Sequence, residues 1–354
     1  MRAKGVIVVP AAGRASGPRM DATSATSLQR VANRPILGHV LDALVGAGVT
    51  EAVVVAPPHG AAEIMACVEQ ERPAALAAAP LIRDYHSEPT ETLEELTEMI
   101  GEAPVIVHSA NGLLGQPLAP LLDLLDERIP DMVLLVAPDA RNTEHLAPSS
   151  QRMLNIAELH PAKSPFGVAG VCVLAPGALR RARLARLTTQ GLELQAMGEG
   201  LAEDGGCIRV CVVRTWRRFT GEAVDLLALN RAVLDTIAGA APVAESNGNH
   251  FEGQVQIDDS ASVTSSVICG PVIIGAGAQI ADSYIGPHTA IGERVSIEGA
   301  EIERSIVLAG ASVQHVGGRL VASVVGREAR VFRDFSVPRA IRLQVGDGDQ
   351  VALC

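Results

Sequence analysis

The residues with the most chemistry to offer stand in the first loop of the chain. Residues 6–37 read VIVVPAAGRASGPRMDATSATSLQRVANRPIL: an apolar run, then small residues carrying Arg14 and Arg19, then Pro35 at the mouth of a helical pattern. Small side chains let a loop aim its backbone N–H groups at one point, and guanidinium groups beside them neutralise charge. The segment therefore has the makings of a phosphate cradle. A remodelled strand-to-helix loop that binds nothing fits the same residue types, and the two readings stay open at this point.

Other reactive side chains form weaker patterns. His108, Asn111 and His160 fall on segments expected to face that loop, but a His-based metal site usually takes three or four ligands and no third stands at convincing spacing, so loop or core residues are the preferred reading. Glu88, Glu91, Glu94, Glu95 and Glu98 are spaced as the solvated face of a helix. Six cysteines lack any CxxC pair, which reads as free thiols in a reducing compartment; Cys207 and Cys211, four apart on an expected strand, should share a face.

Composition excludes some partners. A net charge of -11 argues against nucleic acid and against an anionic membrane surface, both of which require a basic face. No apolar run approaches the roughly 18 residues of a membrane span, and the opening leads straight into a strand pattern, so a cytoplasmic protein is expected. Aromatic residues are scarce, with Trp216 the only tryptophan. At 354 residues the chain exceeds one ordinary core, so two domains are expected.

The elements that must position the first loop alternate. Strand patterns at residues 5–9, 51–56, 81–85, 105–107, 132–136, 155–158, 167–174 and 208–213 interleave with helical patterns at 35–47, 60–70, 92–100, 117–125, 179–187 and 222–237. That order predicts a doubly wound, mostly parallel α/β sheet over residues 1–237. Residues 238–250 read as a linker. Beyond it Phe251, Ile268, Ile285 and Ile302 stand 17 apart, as do Ile257, Ile274, Ile291 and Leu308, often followed by a small residue. Three short strands per turn with one inward aliphatic each is the pattern of a hexapeptide β-helix, expected over residues 251–354 with four to five turns and a terminal cap or interface segment from residue 337.

Taken together, the first loop, VANRPIL, GEAVDLLALNRAVLDTI before the linker, IIGAGAQIADSYIGPHTAIG and SIVLAGASV resemble the long-type glucose-1-phosphate thymidylyltransferases, of the sugar-1-phosphate nucleotidylyltransferase family. The resemblance implies a Rossmann-like nucleotidyltransferase domain and a left-handed parallel β-helix. It implies transfer of a nucleotidyl group from dTTP to a sugar 1-phosphate with release of pyrophosphate, using Mg²⁺ held by two aspartates.

Carried over by position, the family's glycine-rich loop makes Ala11, Ala12, Gly13, Arg14, Ala15 and Arg19 the candidate nucleotide-binding residues, with Arg14 and Arg19 as catalytic candidates. The loop's usual arginine falls on Ser16 and a following lysine on Thr26. Asn111, Gly170, Val171 and Glu193 match sugar-binding positions. A Glu-Lys-Pro segment becomes Leu159-His160-Pro161, and a Phe-Gly-Val segment becomes Thr143-Glu144-His145. The two metal aspartates fall on Ala110 and Phe219, which offer no oxygen donor to Mg²⁺.

With those ligands replaced, the resemblance implies a catalytically impaired homologue that binds a nucleotide or nucleotide sugar and serves as a regulatory protein. It would assemble with its own copies or with an active paralogue. An active nucleotidylyltransferase with a remodelled site and an oligomerisation scaffold are the alternatives. His288, at a turn of the repeat, does not by itself imply the acyl transfer of other β-helix enzymes.

Overall fold

The computed structural model describes residues 2–11, 25–84, 89–126, 130–138, 153–154, 166–182, 187–188, 191–237 and 248–333. The first part is built in chain order from β1 (Lys4–Val8), β2 (Arg30–Val31), β3 (Arg34–Pro35), α1 (Ile36–Gly46), β4 (Glu51–Ala56), α2 (Ala61–Glu71), β5 (Ala77–Ile82) and α3 (Pro89–Ile100). It continues with β6 (Val105–Ser109), β7 (Gly112–Leu114), α4 (Ala119–Asp126), β8 (Met132–Pro138), β9 (Met153–Leu154), β10 (Phe166–Leu174) and α5 (Ala178–Arg181). It is completed by β11 (Leu187–Thr188), β12 (Gly191–Leu192), α6 (Leu194–Glu203), β13 (Ile208–Val212), β14 (Trp216–Arg218) and α7 (Ala223–Leu234).

Eight strands form one sheet in the order β5-β4-β1-β6-β10-β8-β13-β9. Its pairings are parallel except where β10 runs against β6 and β8, and β9 against β13. The central strands are apolar on both faces because helices cover both. Along β1, Val6 and Val8 join the core beneath α3 and α6, while Ile7 joins the core beneath α1 and α2. The helices follow the same logic: α1 buries Ile36, Leu37, Val40, Leu41 and Leu44 at helical spacing.

Two local expectations shift. The strand expected at 81–85 is Ala77–Ile82, because pairing with β4 carries an alanine run that has little strand propensity of its own. The arginine-rich helix expected at 179–187 is a single turn, Ala178–Arg181, with a strand already under way at Leu187. The segment 155–158 lies outside the described residues.

From residue 250 the chain winds into three parallel sheets of five strands each. Phe251, Ile268, Ile285 and Ile302 pair in register as the 17-residue period predicts. The other column breaks: Ile274 pairs with Ile291, but Ile291 pairs with Val307 rather than Leu308. That turn is one residue short, and the next is one residue long, with Ile302 opposite Leu320. Inside, Ile268, Ile274, Ile285, Ile291, Ile297 and Val307 form the core. At one corner the Ser266 and Ser283 hydroxyls accept the backbone N–H groups of Ser283 and Ala300 at 3.1 and 3.2 Å, so the buried turns are satisfied.

The two parts are joined by α7 and by the hairpin β2–β3. Ala32 and Asn33, both left-handed at φ 45 and 63, make the two-residue turn of that hairpin. Asn33 Nδ2 donates to the carbonyl of Ile291 at 2.6 Å. Asn230 on α7 is 1% exposed; its Oδ1 accepts the Ala32 N–H at 2.8 Å and its Nδ2 donates to the His288 carbonyl at 3.1 Å. Among the described residues no helix is long and apolar enough to cross a membrane.

Candidate functional site

Parallel strands β1 and β6 end side by side, with Val8 opposite Ser109, and β6 is followed at once by a turn at Ala110 and Asn111. The Ala110 N–H donates to the Val8 carbonyl at 2.8 Å, which extends the pairing of the two strands up to Asn111. A crevice beyond the carboxyl ends of such strands is where open α/β sheets hold ligands. Here a cleft of about 570 Å³ is lined by Ser109 at the end of β6, Asn111 just beyond it, the start of β10, the β12–α6 junction and β14.

The cleft floor is Trp216. Its strand pairs with β7, placing Gly112 opposite Arg218 and Leu114 opposite Trp216. A Cβ on Gly112 would lie 2.7 Å from the indole, and one on Gly170 would lie 2.9 Å from the indole and 2.8 Å from the Ser109 Cβ. The ring therefore occupies space that only glycine at both positions leaves open. Sequence reasoning missed this role; the available signal was a lone tryptophan in an aromatic-poor chain.

Three of the four sugar-binding candidates meet at this cleft: Asn111, Gly170 and Glu193 line it. Asn111 is 6% exposed, its Oδ1 accepts the Ser109 hydroxyl at 2.9 Å, and its carbonyl accepts the Phe219 N–H at 2.7 Å. Glu193 precedes α6 without capping it and stands exposed at the rim. Val171 does not line the cleft; the alternation of β10 turns it into the core beside Trp216. Arg218 and Glu199 add charge of both signs to the lining.

Of the nucleotide-binding candidates only Ala11 lies within the described residues, half-buried beyond β1. Ala12, Gly13, Arg14, Ala15 and Arg19 lie outside them, as do Ser16, Leu159, His160, Pro161 and the segment Thr143, Glu144 and His145.

Ala110 is fully buried in the core shared with Ile106 and Val171. Phe219 is 8% exposed and packs with Val31, Ile36, Leu226, Leu229, Ile306 and Leu308. Magnesium requires oxygen ligands, and neither position supplies a side-chain oxygen. Among the described residues, no three His, Cys, Asp or Glu side chains group closely enough to hold a metal ion. The described residues thus do not fit the family's Mg²⁺.

His108 is a core residue, 1% exposed, with Nδ1 2.8 Å from the Ser109 carbonyl and its ring 5.7 Å from that of Trp216. Burial pushes its pKa down to about 4, so it is neutral near pH 7. Glu91, Glu94 and Glu98 are exposed on α3 and Glu95 pairs with Arg83, while Glu88 lies outside the described residues. Cys207 is exposed just ahead of β13, whereas Cys211 is buried within it, so only Cys211 stands on the strand. His288 Nε2 lies 2.7 Å from Asp235 at the junction of the two parts.

Compared with known proteins, the chain is 31% identical over 343 residues to a glucose-1-phosphate thymidylyltransferase of Streptomyces griseus, covering 92% of each chain. It is 29% identical over 352 residues, 94% of each chain, to the Streptomyces antibioticus protein of the same name. It is 25% identical over 374 residues to a low-salt glycan biosynthesis nucleotidyltransferase of Haloferax volcanii, covering 99% of this chain and all of that one. A solved structure from Bacillus anthracis, described as a glucose-1-phosphate thymidylyltransferase, shares the fold at a TM-score of 0.53 and 15% identity, over 67% of this chain and 97% of that one. No protein-family model matches the chain.

Proposed function

The chain belongs to the glucose-1-phosphate thymidylyltransferase family, and from that premise we propose that it is a catalytically impaired member that binds a nucleotide or nucleotide sugar in the retained cleft and acts as a regulatory partner. The supporting observation is the fate of the two metal positions: Ala110 is closed into the core and Phe219 into the seam between the two parts. Nucleotidyl transfer depends on positioning and on neutralising charge at the transferring phosphate, so losing both ligands removes most of what lowers the barrier. The protein would act in the cytoplasm, assembled with its own copies or with an active paralogue.

Purified protein given dTTP, glucose 1-phosphate and Mg²⁺ should release no pyrophosphate above background, while calorimetry against thymidine diphosphate glucose should give heat. Clear turnover would sink the proposal. Silence in both assays would leave only the scaffold. The alternative of an active enzyme with a remodelled site draws support from Asn111, Gly170 and Glu193 still meeting at one cleft. Replacing Arg14 and Arg19 together with alanine tests the loop: nucleotide affinity should fall, and unchanged affinity removes those arginines from the site.

A further inference from the structure

We infer that Phe219 is a positioning residue through which the cleft and the β-helix move as one unit. Its side chain is packed among Leu226 and Leu229 of α7 and Ile306 and Leu308 of the β-helix. Its backbone N–H is bonded to the carbonyl of the cleft residue Asn111, and it directly follows Arg218, another cleft residue. A displacement of Phe219 therefore pulls on the pairing of β14 with β7, which holds Trp216 against Gly112.

On the β-helix side of this contact the repeat is one residue short, in the corner between Ile302 and Ile306. In the short turn Val307 takes the inward place opposite Ile291, so its neighbours Ile306 and Leu308 both face the α/β part. The preceding turn carries only Ala290 at the position that pairs with Ile306. Bulk is thus concentrated at Ile306 and Leu308, with Val324 of the following turn packed against the same cluster. The buried amide of Asn230, bridging Ala32 and His288, fixes the same seam a second time. Close-packed contacts of this kind shift between discrete arrangements rather than stretching, which is what transmission between two sites requires.

This coupling deepens the regulatory reading by naming the surface that reports occupancy, and its first test needs no ligand, so either can fail while the other stands. Trp216 is the sole tryptophan and forms the cleft floor, so its fluorescence reports the cleft. Leu308→Ala, made on the β-helix, should red-shift Trp216 emission and raise its quenching by acrylamide. Phe219→Ala should do the same, with Phe219→Leu largely restoring the wild-type signal. Ile280→Ala, buried in the β-helix core away from this seam, should leave Trp216 as it is. If Leu308→Ala does not fold, the milder Leu308→Val carries the test.

Trp216 unmoved by the Leu308 variant, or moved equally by Ile280→Ala, overturns the coupling. Where thymidine diphosphate glucose binds, Leu308→Ala should weaken it about 2- to 30-fold, the range expected of coupling energies of ~0.5–2 kcal/mol. Unchanged affinity would also overturn the coupling. If that probe gives no heat, the regulatory reading falls and the Trp216 comparison still decides the coupling.

Discussion

Single atoms decide the cleft floor. A methyl group on Gly170 would meet the Trp216 ring at 2.9 Å and Ser109 at 2.8 Å, contacts that force the strand or the indole to move. Gly170→Ala should cost about 1–3 kcal/mol by overpacking, read as a lowered unfolding midpoint, and should weaken any cleft ligand more than its stability loss explains. His108 beneath gives a second prediction. Its pKa is near 4 in the folded chain against 6.5 ordinarily, so below pH 6.5 the unfolded chain takes up a proton that the folded one refuses until about pH 4. Stability present above pH 6.5 is lost as pH falls toward 4, by about 2 kcal/mol between roughly pH 7.5 and 5 at ~1.4 kcal/mol per unit. Denaturant titrations at both pH values should show that loss in the wild type and not in His108→Leu. A sequence shows a histidine between apolar residues; only the strand register shows that it points into the core, opposite Ile7 and Val171.

Strands and helices were legible wherever packing and propensity agreed. β4 and α1 stand close to where their β-branched run and apolar spacing put them. Ala77–Ile82 was hidden because its strand state comes from its neighbour, not from its alanines. The 17-residue period in the β-helix was legible, but its one-residue lapse was not, since Val307 and Leu308 are equally apolar and only pairing tells which faces inward. The cleft was legible in part. Asn111, Gly170 and Glu193 came from family positions, whereas Trp216 needed the long-range pairing of Gly112 with Arg218 to be placed. The seam built by α7 carries its own prediction. Phe219→Ala should destabilise the protein by about 3–5 kcal/mol, as truncation of a buried aromatic does, measured by thermal or denaturant unfolding. A surface residue would show almost no change.

Across the whole molecule, the apolar seam makes the two parts dependent on each other. Without residues 248–354 the α/β part would expose Val31, Ile36, Phe219, Leu226 and Leu229 as one patch. That truncated chain should self-associate on size exclusion beyond the assembly the full chain forms, because contiguous apolar patches of this kind seek cover.

The short turn of the β-helix has a further meaning. Side chains along a strand alternate in and out, so the residue that takes the inward place also decides which neighbours face outward, while the corners absorb a residue gained or lost. With Val307 inward, Ile306 takes the outward place that Ala290 holds one turn earlier, and the larger side chains there and at Leu308 make a docking face out of the same kind of sequence that elsewhere only fills the bore. Inserting one glycine between Arg304 and Ser305 would restore the interval that separates Ile285 from Ile291 and keep Val307 inward, so the two parts should stay docked and Trp216 emission should not change.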